Sequence, residues 1–139
     1  MNAAVIAHAR SWISTPYLHQ AAVKGVGCDC AGLVRGVWRT LYGSEITGIP
    51  AYTPDWSEAQ GDEYLLRTVA RWFHPVAGGP LAHGQLVVFR MRRGLIAKHL
   101  GLVATDDAAP SFIHAYSGHG VVESPLSAPW QRRIVARFS

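Results

Sequence analysis

Cys30, His99 and His114 are the residues whose types could do chemistry together. They offer a thiol to attack a carbonyl, an imidazole to take its proton, and a second ring to orient the first. Cys30 follows the glycine-rich turn Gly25-Val26-Gly27-Cys28-Asp29 and precedes Leu33, Val34, Val37, Trp38 and Leu41, spaced as one helix face. The sulfur is therefore expected at a helix N-terminus, where unpaired N–H groups and the helix dipole favour a thiolate. Asp29 is the expected N-cap. Taken alone, a free cysteine is more commonly a small apolar residue in a buried helix, so the weight of the reading falls on the histidines.

His99 opens the run His99-Leu100-Gly101-Leu102-Val103-Ala104, and His114 lies within Phe112-Ile113-His114-Ala115-Tyr116. Residues 105–110 between them are short enough for a hairpin. If Ala104 pairs with Ser111, His114 lies opposite Gly101; if Val103 pairs with Pro110, it lies opposite His99. Either register puts both rings on one face, and a one-residue slip separates them. With the Cys30 helix packed against that face, His99 fits the base and His114 the orienting group. His8, His19, His74, His83 and His119 read as core or surface residues, His19 being set apart by its place near Tyr17. A tetrahedral zinc set of Cys28, Cys30, His99 and His114 is the alternative. A one-residue cysteine spacing running straight into a helix departs from the usual ligand knuckle, so neither metal nor cofactor is expected. A serine nucleophile is weaker again, for want of a Gly-x-Ser-x-Gly elbow.

The elements that must position these groups follow from periodicity. Residues 1–14 carry Val5, Ile6, Ala9, Trp12 and Ile13 on one helical face and end at Thr15-Pro16. Residues 17–24 cross in an extended or irregular path to the glycine turn. The helix at Cys30 stops at Gly43. Residues 44–55, with Pro50 and Pro54, form a loop, and residues 62–73 regain helical spacing. Residues 86–90, 99–105, 111–116, 121–123 and 133–138 then read as short strands. Helices first and strands afterward predict an α+β domain with a mostly antiparallel sheet.

With 139 residues, the chain accommodates one domain, spanning 1–139. A hydrophobic fraction of 49% against 16% charged residues argues against disorder. No apolar run has the length of a membrane span, and the N-terminus lacks a secretory pattern, so a soluble protein not exported by its own signal is expected. The net charge of +4 suits an anionic partner without choosing one. Arg90, Arg92, Arg93 and Lys98 form the densest basic run, expected in a solvated loop between strands. No nucleic-acid motif accompanies it.

Asp29-Cys30-Ala31-Gly32-Leu33 resembles the Asp-Cys-Ser-Gly-Leu nucleophile motif of the NlpC/P60 cysteine peptidases. Trp12-Ile13-Ser14-Thr15-Pro16-Tyr17 is similar to the segment preceding it, Gly84-Gln85-Leu86 to the Gly-Asp-Leu strand motif, His99-Leu100-Gly101-Leu102 to His-Val-Gly-Ile, and Phe112-Ile113-His114-Ala115 to the strand supplying the third polar residue. The matches come in the family's order. They imply a papain-like fold, helices on a sheet of five to six mostly antiparallel strands, and cleavage of peptidoglycan stem peptides, typically between D-γ-glutamate and a diamino acid. By position, Cys30 is the nucleophile, His99 the base and His114 the third member, with Tyr17 and Asp29 shaping the substrate cleft. Residues 15–20 and 34–39 look most like versions encoded with phage tails and gene transfer agents. That implies tail or baseplate hub proteins as partners and action on the wall of a recipient cell. Ala31, Gln85 and the pair His19-Gln20, where many members have a Gly-rich pair, depart from the pattern. A catalytically silent tail subunit and an amidase or acyltransferase on the same scaffold are the competing readings.

Overall fold

A computed structural model describes residues 3–46 and 63–139. The loop expected over residues 44–55 lies outside the described residues from position 47 onward, as do Met1 and Asp62, the expected first residues of two helices. The elements run α1 (Ala3–Arg10), β1 (Ala22–Val23), β2 (Gly27–Cys28), α2 (Cys30–Tyr42), α3 (Tyr64–Trp72), β3 (Leu86–Phe89), β4 (His99–Thr105), β5 (Ser111–Tyr116), β6 (Gly120–Pro125), α4 (Ala128–Gln131) and β7 (Ile134–Phe138). The main sheet has the order β6-β5-β4-β3-β7, antiparallel at every step. The path before Cys30, expected to be extended or irregular, closes into a small hairpin, with Ala22 opposite Cys28 and Val23 opposite Gly27. Among the described residues, no helix is long and apolar enough to cross a membrane.

α1 buries Val5, Ile6 and Ala9 and ends at Arg10, earlier than its apolar spacing predicts. A tight turn follows, with the Ser11 and Trp12 N–H groups bonded to Ala7, His8 and Ala9 carbonyls. It keeps Trp12 in the core but turns Ile13 out to 40% exposure. α2 begins and ends as read, capped by Asp29 and by Gly43 at φ 70°. Two glycines let it sit close to its neighbours. A Cβ on Gly36 would lie 2.1 Å from the Trp12 ring, and one on Gly32 would lie 1.8 Å from the Ala21 carbonyl oxygen.

α1, α2 and α3 pack Val5, Ile6, Leu33, Val37 and Leu65 onto Leu86, Val88, Leu100, Leu102 and Ile113. The opposite face of the same sheet carries a second buried cluster of Val87, Phe89, Val103, Phe112 and Leu126, with Trp130 of α4 packed against it. Burial on both faces explains why β3 is apolar at every position instead of alternating. Residues 90–98 connect β3 to β4, with Arg92 and Arg93 exposed as expected of a solvated loop.

Candidate active site

The buried carboxylate of Asp29 fixes the head of α2. Its Oδ1 accepts the Gly32 N–H at 2.7 Å and its Oδ2 accepts the Gln20 N–H at 2.7 Å. One side chain therefore caps the helix and ties down the segment after Tyr17. Gln20 sits at φ 64°, a backbone conformation glycine adopts without strain. That is where the motif comparison placed a Gly-rich pair. Tyr17 forms a parallel bridge to Cys28, which brings its ring to the Cys30 end of the helix.

On the other side, β4 and β5 pair from Thr105 and Ser111 to Leu102 and Ile113, and the ladder stops there although both strands run on to His99 and Tyr116. Cys30 occupies the opening. Its sulfur lies 4.0 Å from the Lys98 carbonyl oxygen and receives a hydrogen bond from the Leu100 backbone. The pairing of Leu102 with Ile113 sets His114 opposite Gly101, the first of the two registers considered. The expected Ala104–Ser111 pair is replaced by Thr105–Ser111, with a register shift between Val103 and Thr105.

The two imidazoles meet on one face as that register requires, with His99 Nε2 and His114 Nδ1 2.7 Å apart. That face is not the one α2 covers, which corrects the expected geometry. α2 packs on the Leu100 and Leu102 side, whereas the rings stand among Phe89, Phe112 and Trp130 on the other. The sulfur comes to the His99 end of β4 through the opening between β4 and β5. Phe112 stacks on His114 at 4.1 Å, and Trp130 contacts both imidazoles, at 5.8 and 5.4 Å between ring centres. His114 Nε2 is 2.9 Å from Ser124 Oγ.

Burial dominates the electrostatics. It pushes the Cys30 thiol up to about 12, with the Asp29 charge adding to the rise, while backbone hydrogen bonds from Leu100, Ala31 and Cys30 act the other way. Burial thus works against the thiolate expected at the helix terminus, and the backbone hydrogen bonds there offset it only in part. Burial and then His114 push His99 down to about 3, and burial and then His119 push His114 down to about 4. Burial, followed by the Cys30, Asp29 and Cys28 charges, raises the Tyr17 hydroxyl to about 12. At neutral pH the site therefore holds an uncharged thiol beside an uncharged imidazole, which suits proton transfer during attack and not a preformed ion pair.

A cavity of about 140 Å³ is lined by Tyr17, Asp29, Cys30 and His99, and also by His19, Met91, Lys98 and Tyr116. Four of the five residues singled out from the sequence thus share one space, and His114 lies directly behind His99. His19, read with the core or surface residues but set apart by its place near Tyr17, stands at the cavity wall, its Nδ1 3.8 Å from Asp29 Oδ2. Ser124 and Trp130 were missed, since neither belongs to a motif or a periodic run. Gln85, one of the departures, accepts from the Ala82 N–H and from Arg137, and so has a structural place at the start of β3. Among the described residues, no three or more His, Cys, Asp or Glu side chains are gathered as a metal site. One nitrogen of each histidine in the zinc alternative, His99 Nε2 and His114 Nδ1, is turned toward the other ring.

No protein-family model matches the chain, and no curated protein matches it in sequence. Solved structures do match. The NlpC/p60 domain of the peptidoglycan hydrolase SagA superposes with a TM-score of 0.66 at 20% identity, over 100% of this chain and 99% of that one. An NlpC/P60 family protein from Bacillus cereus gives 0.67 at 19%, over 99% of this chain and 39% of that one. Ly7917 gives 0.62 at 18%, over 100% and 62%. This chain therefore spans less than two thirds of the length of the latter two. The arrangement of helices over a five-stranded antiparallel sheet is that of an NlpC/P60 domain fold.

Proposed function

We propose that this chain is a cysteine peptidase that cleaves peptidoglycan stem peptides. Cys30 is the nucleophile, His99 the base and His114 the group that orients it, while Tyr17 and Asp29 shape the cleft. The observation that carries the reading is that Cys30 and His99 line one cavity while His99 Nε2 is held 2.7 Å from His114 Nδ1. Nδ1 of His99 is then the nitrogen left for the thiol proton. As the sulfur bonds to the carbonyl carbon, that proton passes to His99. Collapse of the tetrahedral intermediate breaks the C–N bond and returns the proton to the leaving amine. Water, deprotonated by His99, then splits the thioester and frees Cys30.

A wall peptide is favoured over other amides by the neighbours, one being called a peptidoglycan hydrolase and another having been solved with the hydrolyzing product of MDP. The bond between D-γ-glutamate and a diamino acid, and a place in a phage-like tail beside hub proteins, follow from the motif resemblance alone and belong to the same proposal. The test is to incubate purified muropeptides of several wall chemistries with the protein and with Cys30→Ala, and to read the fragments by mass. Stem-peptide cleavage that vanishes in Cys30→Ala is the expected result. No Cys30-dependent cleavage of any of them overturns the reading.

A second reading, a structural subunit that keeps the fold without turnover, is favoured by the 4% exposure of Cys30 and by its raised thiol pKa. It predicts intact muropeptides in both arms of that experiment.

A further inference from the structure

We propose that Ser124 is a positioning residue of this reaction: its hydroxyl oxygen accepts the Nε2–H of His114 and so leaves the Nδ1 lone pair of His99 facing the thiol. The inference rests on the cysteine-peptidase reading and deepens it.

The sheet register produces the contact. Phe112 pairs with Ser124 and His114 with Val122, so Ser124 stands diagonal to His114 on the same face of β5 and β6. Its Oγ lies 2.9 Å from His114 Nε2, while His114 Nδ1 lies 2.7 Å from His99 Nε2. His114 is only 1% exposed, so both of its nitrogens are satisfied within the fold. The stacked Phe112 ring at 4.1 Å holds the imidazole plane in place for both bonds.

Each neutral imidazole carries one N–H and one lone pair. Only two proton arrangements then satisfy both bonds. In the first, His99 donates from Nε2 to His114 Nδ1, and His114 donates from Nε2 to Ser124; His99 Nδ1 is a free base. In the second, every bond is reversed. Ser124 donates to His114, His114 donates to His99, and the His99 proton sits on Nδ1, where it blocks the thiol's. A hydroxyl can act in either sense, but Ser124 also lines an open groove of about 640 Å³ together with Pro110, Ser111, Leu126 and Gln131. Its own O–H can therefore point to solvent while its oxygen accepts from the buried ring. Removing that oxygen strands a buried N–H in the first arrangement and only an acceptor lone pair in the second. The pair is driven toward the unproductive tautomer.

The experiment reads the tautomers directly. Protein labelled with ¹⁵N-histidine is compared as wild type, Ser124→Ala, Ser124→Thr and Ser124→Asp by long-range ¹H–¹⁵N correlation, and kcat and KM are measured on a cleaved muropeptide. Wild type, Thr and Asp variants are expected to hold the proton of His114 on Nε2. Ser124→Ala is expected to move it to Nδ1 and to lower kcat about tenfold, equivalent to about 1.4 kcal/mol, with KM unchanged and Ser124→Thr restoring the rate. A His114 that keeps its Nε2 proton in Ser124→Ala, or that carries it on Nδ1 in the wild type, overturns the proposal. Wild-type protein without Cys30-dependent cleavage overturns the peptidase reading instead, and the spectra still decide the tautomer.

Discussion

Burying two uncharged imidazoles makes the domain acid-labile well above the range in which carboxylates titrate. His99 is held at about 3 and His114 at about 4, against 6.5 for an unfolded histidine. Between those values the unfolded chain binds protons that the folded chain refuses, so stability is full above the unfolded pKa and falls as pH drops toward the folded ones. At pH 5 the unfolded state gains about 1.5 units of proton binding free energy per histidine, and at about 1.4 kcal/mol per unit each removes about 2 kcal/mol. Together they remove about 4 kcal/mol, a large share of the roughly 5–15 kcal/mol that holds a domain together. Glu123, whose carboxyl the Arg10 hydrogen bond holds below 4.5, loses its contribution only at lower pH. Urea unfolding at pH 7 and pH 5 measures the loss, and the same pair of curves for His99→Gln/His114→Gln supplies the control. The wild type should lose about 4 kcal/mol and the double variant almost none. Equal losses in the two proteins would show that the imidazoles are not the groups refusing protons, and the electrostatic picture of the site would fail with them.

Two further outcomes follow from single contacts. Asp29→Asn keeps an oxygen for the Gly32 N–H but removes the charge that raises the Cys30 thiol. It should cost about 1 kcal/mol of stability in urea and speed iodoacetamide alkylation of Cys30; slower alkylation would mean that the cap, not the charge, governs the sulfur. Gly36→Ala places a methyl 2.1 Å from the Trp12 ring and should destabilise by about 1–3 kcal/mol despite better helix propensity. Thermal unfolding of Gly36→Ala/Trp12→Phe should recover part of that loss, because the shorter ring vacates the contested space.

The sequence was most informative where a local rule and a tertiary demand coincide. Asp29 and Gly43 mark the ends of α2 because a side-chain oxygen and a left-handed backbone are what a helix needs there, whatever surrounds it. The strand bounds at His99–Thr105 and Ser111–Tyr116 were legible for a similar reason: turn-forming residues punctuate them. β1 and β2 were not, since two-residue strands have no measurable period. α4 spans Ala128–Gln131, too short for a periodic face, so Trp130 could not be seen as the cover on the imidazole pair. Leu86-Val87-Val88-Phe89 did carry a sign of the second buried face, because an uninterrupted apolar strand is covered on both sides. Ser124 depends on the β5–β6 register, which nothing in its neighbours announces.

The face on which the rings stand explains why the ladder between β4 and β5 must end where it does. α2 is bound to the Leu100 side of the sheet by its apolar stripe, and His99, one residue earlier, points to the other side by the two-residue period of a strand. A sulfur on that helix could not come near that imidazole across an intact sheet. It can do so only at a strand end whose partner has peeled away, leaving a backbone N–H unpaired. The Leu100 N–H left free beyond Leu102 and Ile113 then finds its acceptor in Cys30 itself. One interrupted hydrogen-bond ladder thus admits the thiol and supplies it with a donor. Any substitution that prolonged the β4–β5 pairing toward His99 would strengthen the sheet and close the site.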